Sequence, residues 1–516
     1  MSPIVDKNGN IAYLGRLSWG NFVDWLVTLV LGIILVRLTL GLGGVRPETH
    51  IALLPLFGIL LILHGIWLAV DATAPKRISH IPILFLPLLG WAVLSVFWLS
   101  PTSWLGKVEL VYAVEAFIFF WVASNNTRTR NHILVLLFMA LLPLVVALAN
   151  AIFQFIQDPS LAADALTGYA VRLSPDFFGQ STGVFGDPTS FSIFLLLLFP
   201  GLLIAAMIQR FTVIQRVFFY YLAFIVLVGL LLVQVTWALL FFILITLWLV
   251  WLFGGCSRKR FLQLTALGAL GMLLIVWFFE VRPLFSSQSG FSTVRLELWV
   301  ESLRMFLRNP IAGVGAGAFS QAFEQSASVV LPAKVDSPQN DFLLLLSQYG
   351  LVGGLLCWAP LGYTLYHGFK RWQMFPAIMN LGRGRRPKVQ FERFILSVSL
   401  AGCVSFLIGA FCSFSFYVPA LLLYGLLFLS ILVKYGFVRR CNIPDHLIAR
   451  WSYCVLTVFL AAVLLKLAPV PLHAQALEEE GRETLNQVIE QRLHMSSDSS
   501  HLDRVLRKYK AAVTWD

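Results

Sequence analysis

An all-α integral membrane protein, a polytopic bundle of about 12–13 transmembrane helices with two long extracytoplasmic loops, is the fold this sequence specifies. Three observations carry that expectation. Of 516 residues, 58% are hydrophobic and only 12% charged, with a mean hydropathy of +0.80, a composition foreign to a water-soluble domain of this length. Apolar runs of about twenty residues, the length a helix needs to cross a bilayer, recur along the whole chain. The basic residues behind the net charge of +12 sit in short segments between those runs, which is the pattern of cytoplasmic loops and not a nucleic-acid surface.

Taken in order, candidate spans fall near 22–42, 51–70, 80–99, 104–123, 133–156, 190–208, 217–235, 237–254, 263–281, 342–366, 394–413, 417–437 and 452–469. The polar N-terminus before a full-length first run reads as an uncleaved first helix with its start in the cytoplasm. That choice places Lys7, Arg16, Lys76, Arg77, Arg128, Arg130, Arg210, Arg216, Arg258, Lys259, Arg260, the cluster from Lys370 to Arg393, Arg439, Arg440 and Arg450 on one side. The short loops of the other side hold Arg46 alone, so the asymmetry sets the orientation. The chain then divides into N-terminal spans (1–156), a core with two long outer loops (157–366, loops 157–189 and 284–341), C-terminal spans (367–470) and a helical outer tail (471–516). Six cysteines lie outside both loops and read as packing residues.

The longer loop carries the densest chemistry. From Arg295 to Arg308 the sequence has helical period, with Leu296, Val300, Leu303 and Leu307 on one arc, Trp299 and Phe306 at its edge, and Glu297, Glu301, Arg304 and Arg308 opposite, a face suited to solvent or to mutual pairing. Arg295 sits at the border of the apolar arc beside Trp299, where a guanidinium is held against the membrane face and aimed at a cleft. Asn309 and Pro310 stop the helix, and Gly313, Gly315 and Gly317 allow close backbone approach. No strand precedes these glycines, which argues against a dinucleotide site. Elsewhere, Asp187-Pro188 reads as a helix start, Glu109 as a snorkelling partner of Lys107, and Glu115 as a deeper acid that either packs or faces the cleft.

The run R-x-x-x-W, then NP-x-x-GVG-x-G-x-F, then QND-x-LLLL-x-x-YGLVGG resembles the shared region of the O-antigen ligase and O-antigen (Wzy-type) polymerase superfamily. The family's closing motif is His followed by Asn, Ser or Gln, nine residues, Gly, two residues and Gly. Here Gln339, Asn340, Gly350 and Gly353 keep the spacing, with Gln339 in the histidine position. The earlier segment GQSTGVFGDPTSF is similar to the family's G-x-F-x-x-P, with Gln180 where ligases often carry arginine. An Arg, ten residues, Gly pattern described for the polymerases occurs from Arg172 to Gly183 and from Arg304 to Gly315. The likeness spans about 179–353.

The resemblance implies transfer of an oligosaccharide from an undecaprenyl-pyrophosphate carrier to a glycan or lipid acceptor at the periplasmic face of the bacterial inner membrane, with a flippase and a chain-length regulator as associated partners. A pyrophosphate leaving group calls for arginine, which makes forked, charge-assisted bonds. Arg295 and Arg172 are the leading catalytic candidates, with Gln339, Asn340 and Asp341 beside them, and Gln180, Arg304, Trp299, Gly313 and Gly315 as substrate-binding candidates. Without a histidine in the loop, Asp341, Asp336 or Glu297 is left to accept the acceptor's proton. Neither loop has a D-x-D pair or a His/Cys cluster, so the expectation is a metal-independent site with no cofactor. The departures at Gln339 and Gln180 fit a polymerase-like member first, an unusual ligase second and a protein that has lost transferase activity third. A lipid-linked glycan transporter and a non-catalytic assembly scaffold are the competing classes; the first predicts polar residues on both sides of the membrane, the second predicts tolerance of Arg295→Ala.

Overall fold

A computed structural model describes residues 4–5, 11–12, 19–69, 77–127, 129–157, 161–163, 170–172, 180–208, 212–253, 258–276, 291–326, 337–375, 387–437, 441–442 and 447–494. Its helices are α1 (Trp19–Leu40), α2 (Pro47–Ala69), α3 (Leu86–Leu94), α4 (Ser103–Asn126), α5 (Arg130–Gln157), α6 (Pro188–Met207), α7 (Val213–Val233) and α8 (Thr236–Phe253). They continue as α9 (Arg258–Val276), α10 (Phe291–Arg308), α11 (Phe319–Ser326), α12 (Asp341–Gln373), α13 (Pro387–Cys412), α14 (Pro419–Gly436), α15 (Leu447–Leu467) and α16 (Pro469–His494). Among the described residues, 10 helices are long and apolar enough to cross a membrane. The three other expected spans are helices too. α8 and α9 have shorter apolar stretches, and α4 carries Lys107, Glu109 and Glu115.

Helix starts follow from local chemistry. Asp187 caps α6, its Oδ2 accepting from the Ser190 backbone N–H at 2.6 Å, with Pro188 in the first turn. A reciprocal Thr212–Gln215 capping box opens α7. Prolines lie inside α2, α5, α6 and α12 (Pro55, Pro143, Pro200 and Pro360), as helices that cross a membrane tolerate.

α6 is the hub. Phe191, Phe194, Leu195, Leu196, Leu197 and Phe199 are all buried, and the helix packs on α7, α8 and α13. α2 pairs with α15, α1 with α5, and α14 with both α4 and α13. Other helices turn large apolar residues outward, among them Phe138 and Val145 of α5, Phe218 and Phe224 of α7, and Val455 and Phe459 of α15. Such faces suit lipid tails, so helix association rests on close packing and on polar links. At Gly402, for example, an added Cβ would sit 2.5 Å from the Phe428 ring, and Tyr424 donates from α14 to the Ala140 carbonyl at 2.8 Å.

Among the described residues, parts of several basic segments make contacts that link the helix ends they adjoin. Strand Arg77–Ile78 pairs with Cys441–Asn442, Lys434 donates to the Thr127 carbonyl, Arg393 donates to the Phe375 carbonyl at 2.6 Å, and the Arg130 guanidinium lies over Phe391 at 4.2 Å. The opposite end of the bundle is closed by the 41–46 turn, by 180–187, by the segments around α10 and α11, and by 413–418.

Candidate functional site

The site grows from the start of α12. Asn340 caps that helix, its side-chain oxygen accepting from the N–H groups of Phe342 (3.0 Å) and Leu343 (3.2 Å). The residue before it, Gln339, takes a left-handed backbone (φ 52), and its carboxamide oxygen accepts from Arg295 Nε at 3.0 Å. Two residues singled out separately by the sequence, 44 positions apart, therefore touch. Arg295 is half-buried near the start of α10, and its charge is felt by Asp187 and by Cys412 at the end of α13. Burial pushes the Asp187 carboxyl up from the ordinary aspartate range, while hydrogen bonds from Ser190 and the charge of Arg295 work against that rise.

Asp341, next along the chain, binds the 413–418 segment. It is buried, Oδ2 accepts the Phe416 N–H at 2.7 Å, and among the described residues Oδ1 has no partner within ordinary hydrogen-bond geometry. Its described role is to tie the 413–418 segment to the head of α12. Trp299 stands edge-on to Phe411 (5.7 Å between centroids), which in turn meets Phe342 (6.3 Å), and Phe342 meets Trp358 (5.6 Å). Both indole N–H groups, of Trp299 and Trp358, are buried without a hydrogen-bond partner. An aromatic wall thus runs from α10 across α13 to α12.

The glycine run has a structural use. Val314 N–H donates to the Ser347 carbonyl (2.9 Å) and Gly315 N–H to the Gln348 carbonyl (3.0 Å), while Leu351 N–H returns to the Pro310 carbonyl (2.8 Å). Gly350 (φ 66, ψ -168) breaks α12 so that these exchanges are possible. A Cβ at Gly313 (φ 74) would overlap the Gln348 carbonyl, so the left-handed conformation and the close approach both require glycine there. On its other side the loop is held by Ser95, whose Oγ accepts from Ala316 N–H at 3.0 Å, and by Ser100, which donates to the Ala316 carbonyl at 2.6 Å.

Several expectations are corrected by this geometry. Glu109 does not snorkel towards Lys107: it accepts from Gly317 N–H (3.1 Å), Gln348 Nε2 (3.2 Å) and the Tyr349 hydroxyl (3.4 Å), binding the glycine loop to α12. Of the two readings open for Glu115, packing is the one found: it is buried and pairs with His50 at 2.6 Å. Glu301 is no part of a solvated face. It is buried at 4% exposure together with Leu298, Ser302 and Met305, while Leu296, Val300, Leu303 and Leu307 are exposed. Among the described residues the helix therefore packs on its Glu301 face and leaves the apolar arc exposed. Glu301 accepts from Arg304 Nη1 at 2.6 Å, which occupies Arg304 at an exposed position.

Arg172 lies on a three-residue strand, Ala170–Arg172, paired antiparallel with Leu161–Ala163; its side chain lies outside the described residues, as does Asp336. Gln180 is half-buried and immediately precedes Ser181, whose N–H donates to the Leu232 carbonyl at 3.1 Å. Glu297 is exposed. Sequence reasoning missed the 411–416 segment altogether. Its signal, the aromatic–serine alternation FCSFSFY after an apolar run, has no meaning until Phe411 meets Trp299 and Phe416 meets Asp341. Among the described residues no group of three His, Cys, Asp or Glu side chains is placed to hold a metal ion.

A helical membrane protein with an arginine–amide pair at the head of a broken span is the class that fold and site define. Residues 221–358 match the family model described as O-antigen ligase, a likeness that overlaps the segment in which the sequence motifs resemble that family. The match covers about a quarter of the chain. It takes in Arg295, Trp299, Arg304, Gly313, Gly315, Gln339, Asn340 and Asp341, and leaves Arg172 and Gln180 outside. No curated protein matches the chain.

Proposed function

We propose that the protein is a membrane glycosyltransferase that moves an oligosaccharide from an undecaprenyl-pyrophosphate carrier to a hydroxyl of a glycan or lipid acceptor at the periplasmic face of the bacterial inner membrane, as a polymerase-type member of the superfamily. The observation that supports it is the Arg295–Gln339 contact inside the matched region. In the reaction the acceptor hydroxyl oxygen attacks the anomeric carbon, the bond from that carbon to the pyrophosphate oxygen breaks, negative charge grows on the leaving group, and the hydroxyl proton passes to the released pyrophosphate or to water. Gln339 accepts from Nε and so fixes the plane of the guanidinium, whose terminal N–H groups are the fork suited to a phosphate. An amide at 339 orients the arginine without competing for its charge, as a carboxylate would. Asp187 adds a nearby acid that is also engaged as a helix cap. The reaction as read uses these residues without a metal or cofactor.

The test is the carrier-linked and surface glycan profile of a deletion strain complemented with wild type, Arg295→Ala or Arg172→Ala at matched membrane levels. Single repeat units left on the carrier or capping the surface mark a polymerase, and long carrier-linked chains that never reach an acceptor mark a ligase. A wild-type profile from Arg295→Ala refutes the reading and favours a scaffold.

A further inference from the structure

His50 and Glu115 form a buried pair that the reading above leaves unused. His50 is 1% exposed and Glu115 2%. The two ring nitrogens of His50 meet different partners: Nδ1 lies 2.6 Å from Glu115 Oε2, and Nε2 lies 2.7 Å from the carbonyl oxygen of Gly44. A carbonyl only accepts, so Nε2 carries a hydrogen. The second contact then needs one proton between Nδ1 and Oε2, either on the imidazolium or on the carboxyl. In both forms the pair is neutral as a whole, which is how two ionisable groups are tolerated at this depth. Tyr112 lies against the imidazole at 4.1 Å between centroids, and its hydroxyl reaches Gln475 of α16 at 3.5 Å.

What the pair holds is a turn that local sequence alone would not fix. Leu42, Gly43 and Gly44 have φ values of 54, 72 and 75, three consecutive residues in left-handed conformation, and the leucine is strained there. The turn is wedged between the two segments that border the candidate site. A Cβ on Gly43 would stand 2.7 Å from the Phe185 ring and 3.0 Å from Val418. Phe185 is two residues from Asp187, the acid that feels Arg295. Val418 is two residues from Phe416, whose N–H is held by Asp341.

We propose that His50 and Glu115 are positioning residues: by clamping the Gly44 carbonyl they set the spacing between the 183–187 and 413–418 walls on either side of Arg295. The proposal rests on the transferase reading for its consequence in glycan transfer, and on the hydrogen-bond geometry alone for the position of the walls.

The test is amide hydrogen exchange on the full chain in detergent micelles, comparing wild type with Glu115→Leu and Glu115→Gln. A glutamine amide can donate to Nδ1 and leave the Nε2 hydrogen on Gly44, so Glu115→Gln keeps both bonds. Glu115→Leu loses one, and exchange in 41–46, 183–187 and 413–418 is expected to quicken by about tenfold or more, the scale of a lost buried charge-assisted bond. Glu115→Gln is expected to stay close to wild type in the same segments, and 121–127, at the opposite end of α4, is expected to stay unchanged in both. Wild-type exchange of the two walls in Glu115→Leu, or equal quickening along the whole chain, overturns the proposal; so does a Glu115→Gln variant that behaves like the leucine. Exchange needs no glycan substrate, so its outcome is separate from that of Arg295→Ala, which tests the transferase reading.

Discussion

The two ends of the bundle use polar residues in opposite ways. At the basic end, cations terminate on backbone carbonyls, as Lys434 does on Thr127 and Arg393 on Phe375. The neighbouring histidine His64 has both nitrogens engaged: Nδ1 with Asn126 Oδ1 at 2.6 Å, and Nε2 accepting from Trp121 at 3.0 Å. Asn126 in turn donates to Asp24 at 3.3 Å, so α1, α2 and α4 are joined by one chain of bonds. At the other end Arg295 terminates on a side-chain amide, with Asp187 close by, on segments drawn from α6, α10, α12 and α13. A cation that donates to a carbonyl of its own bundle ties backbone segments together; Arg295 is instead oriented through a side-chain amide inside the region that the family model matches. The comparison teaches that charge in a membrane protein has to be judged by its partner.

The largest contrast is expected from Arg295→Ala, which should lower transfer by about 10²–10³-fold, the cost of removing one preorganised charge-stabilising donor. Lys434→Met at the basic end should leave transfer at wild-type level when both are read from glycan display at matched protein amounts. Gly313→Ala comes next: a side chain in the left-handed region against the Gln348 carbonyl should destabilise the fold by about 2–3 kcal/mol, seen as a lowered midpoint of thermal unfolding in detergent. Asp187→Ala removes a helix cap and a neighbour of Arg295. We expect about 1 kcal/mol of lost stability and a fall in transfer that Asp187→Asn partly restores, because asparagine also caps. The smallest loss of transfer among the site candidates is assigned to Arg304→Ala. Its side chain is 54% exposed while its partner Glu301 is buried, so the change is expected to cost about 1–3 kcal/mol of stability but to leave transfer within about twofold of wild type at matched protein amounts; a loss of transfer as deep as that of Arg295→Ala would move Arg304 into the site.

Hydrogen bonding decides which residues were legible in the sequence. Asp187 was readable as a cap because an acid before proline at the head of an apolar run has one local use, and the structure shows it. Arg295 was separable from Arg304 and Arg308 by its place on the helical wheel, since it borders the arc that lipid or protein must cover. The assignment of Glu301 failed for the same kind of reason. A wheel gives relative angle but not which side faces protein, and here the apolar arc faces outward while Glu301 is buried. Glu109 and Glu115 were visible only as acids in a span, because their partners, Gly317 and His50, lie 208 and 65 positions away.

Composition and periodicity, acting through the length of a bilayer and the cost of unpaired backbone groups within it, were enough to specify a helical bundle, the order of its spans and the segments that remain outside them. Motif spacing was enough to single out the Arg295 and Gln339 segments. The pairing of those two residues, the break at Gly350 that lets the glycine loop exchange backbone bonds with α12, the turn held by His50, and the side of α10 that faces protein all came from packing. Each depends on contacts between segments that are distant along the chain, and no local propensity encodes such a contact.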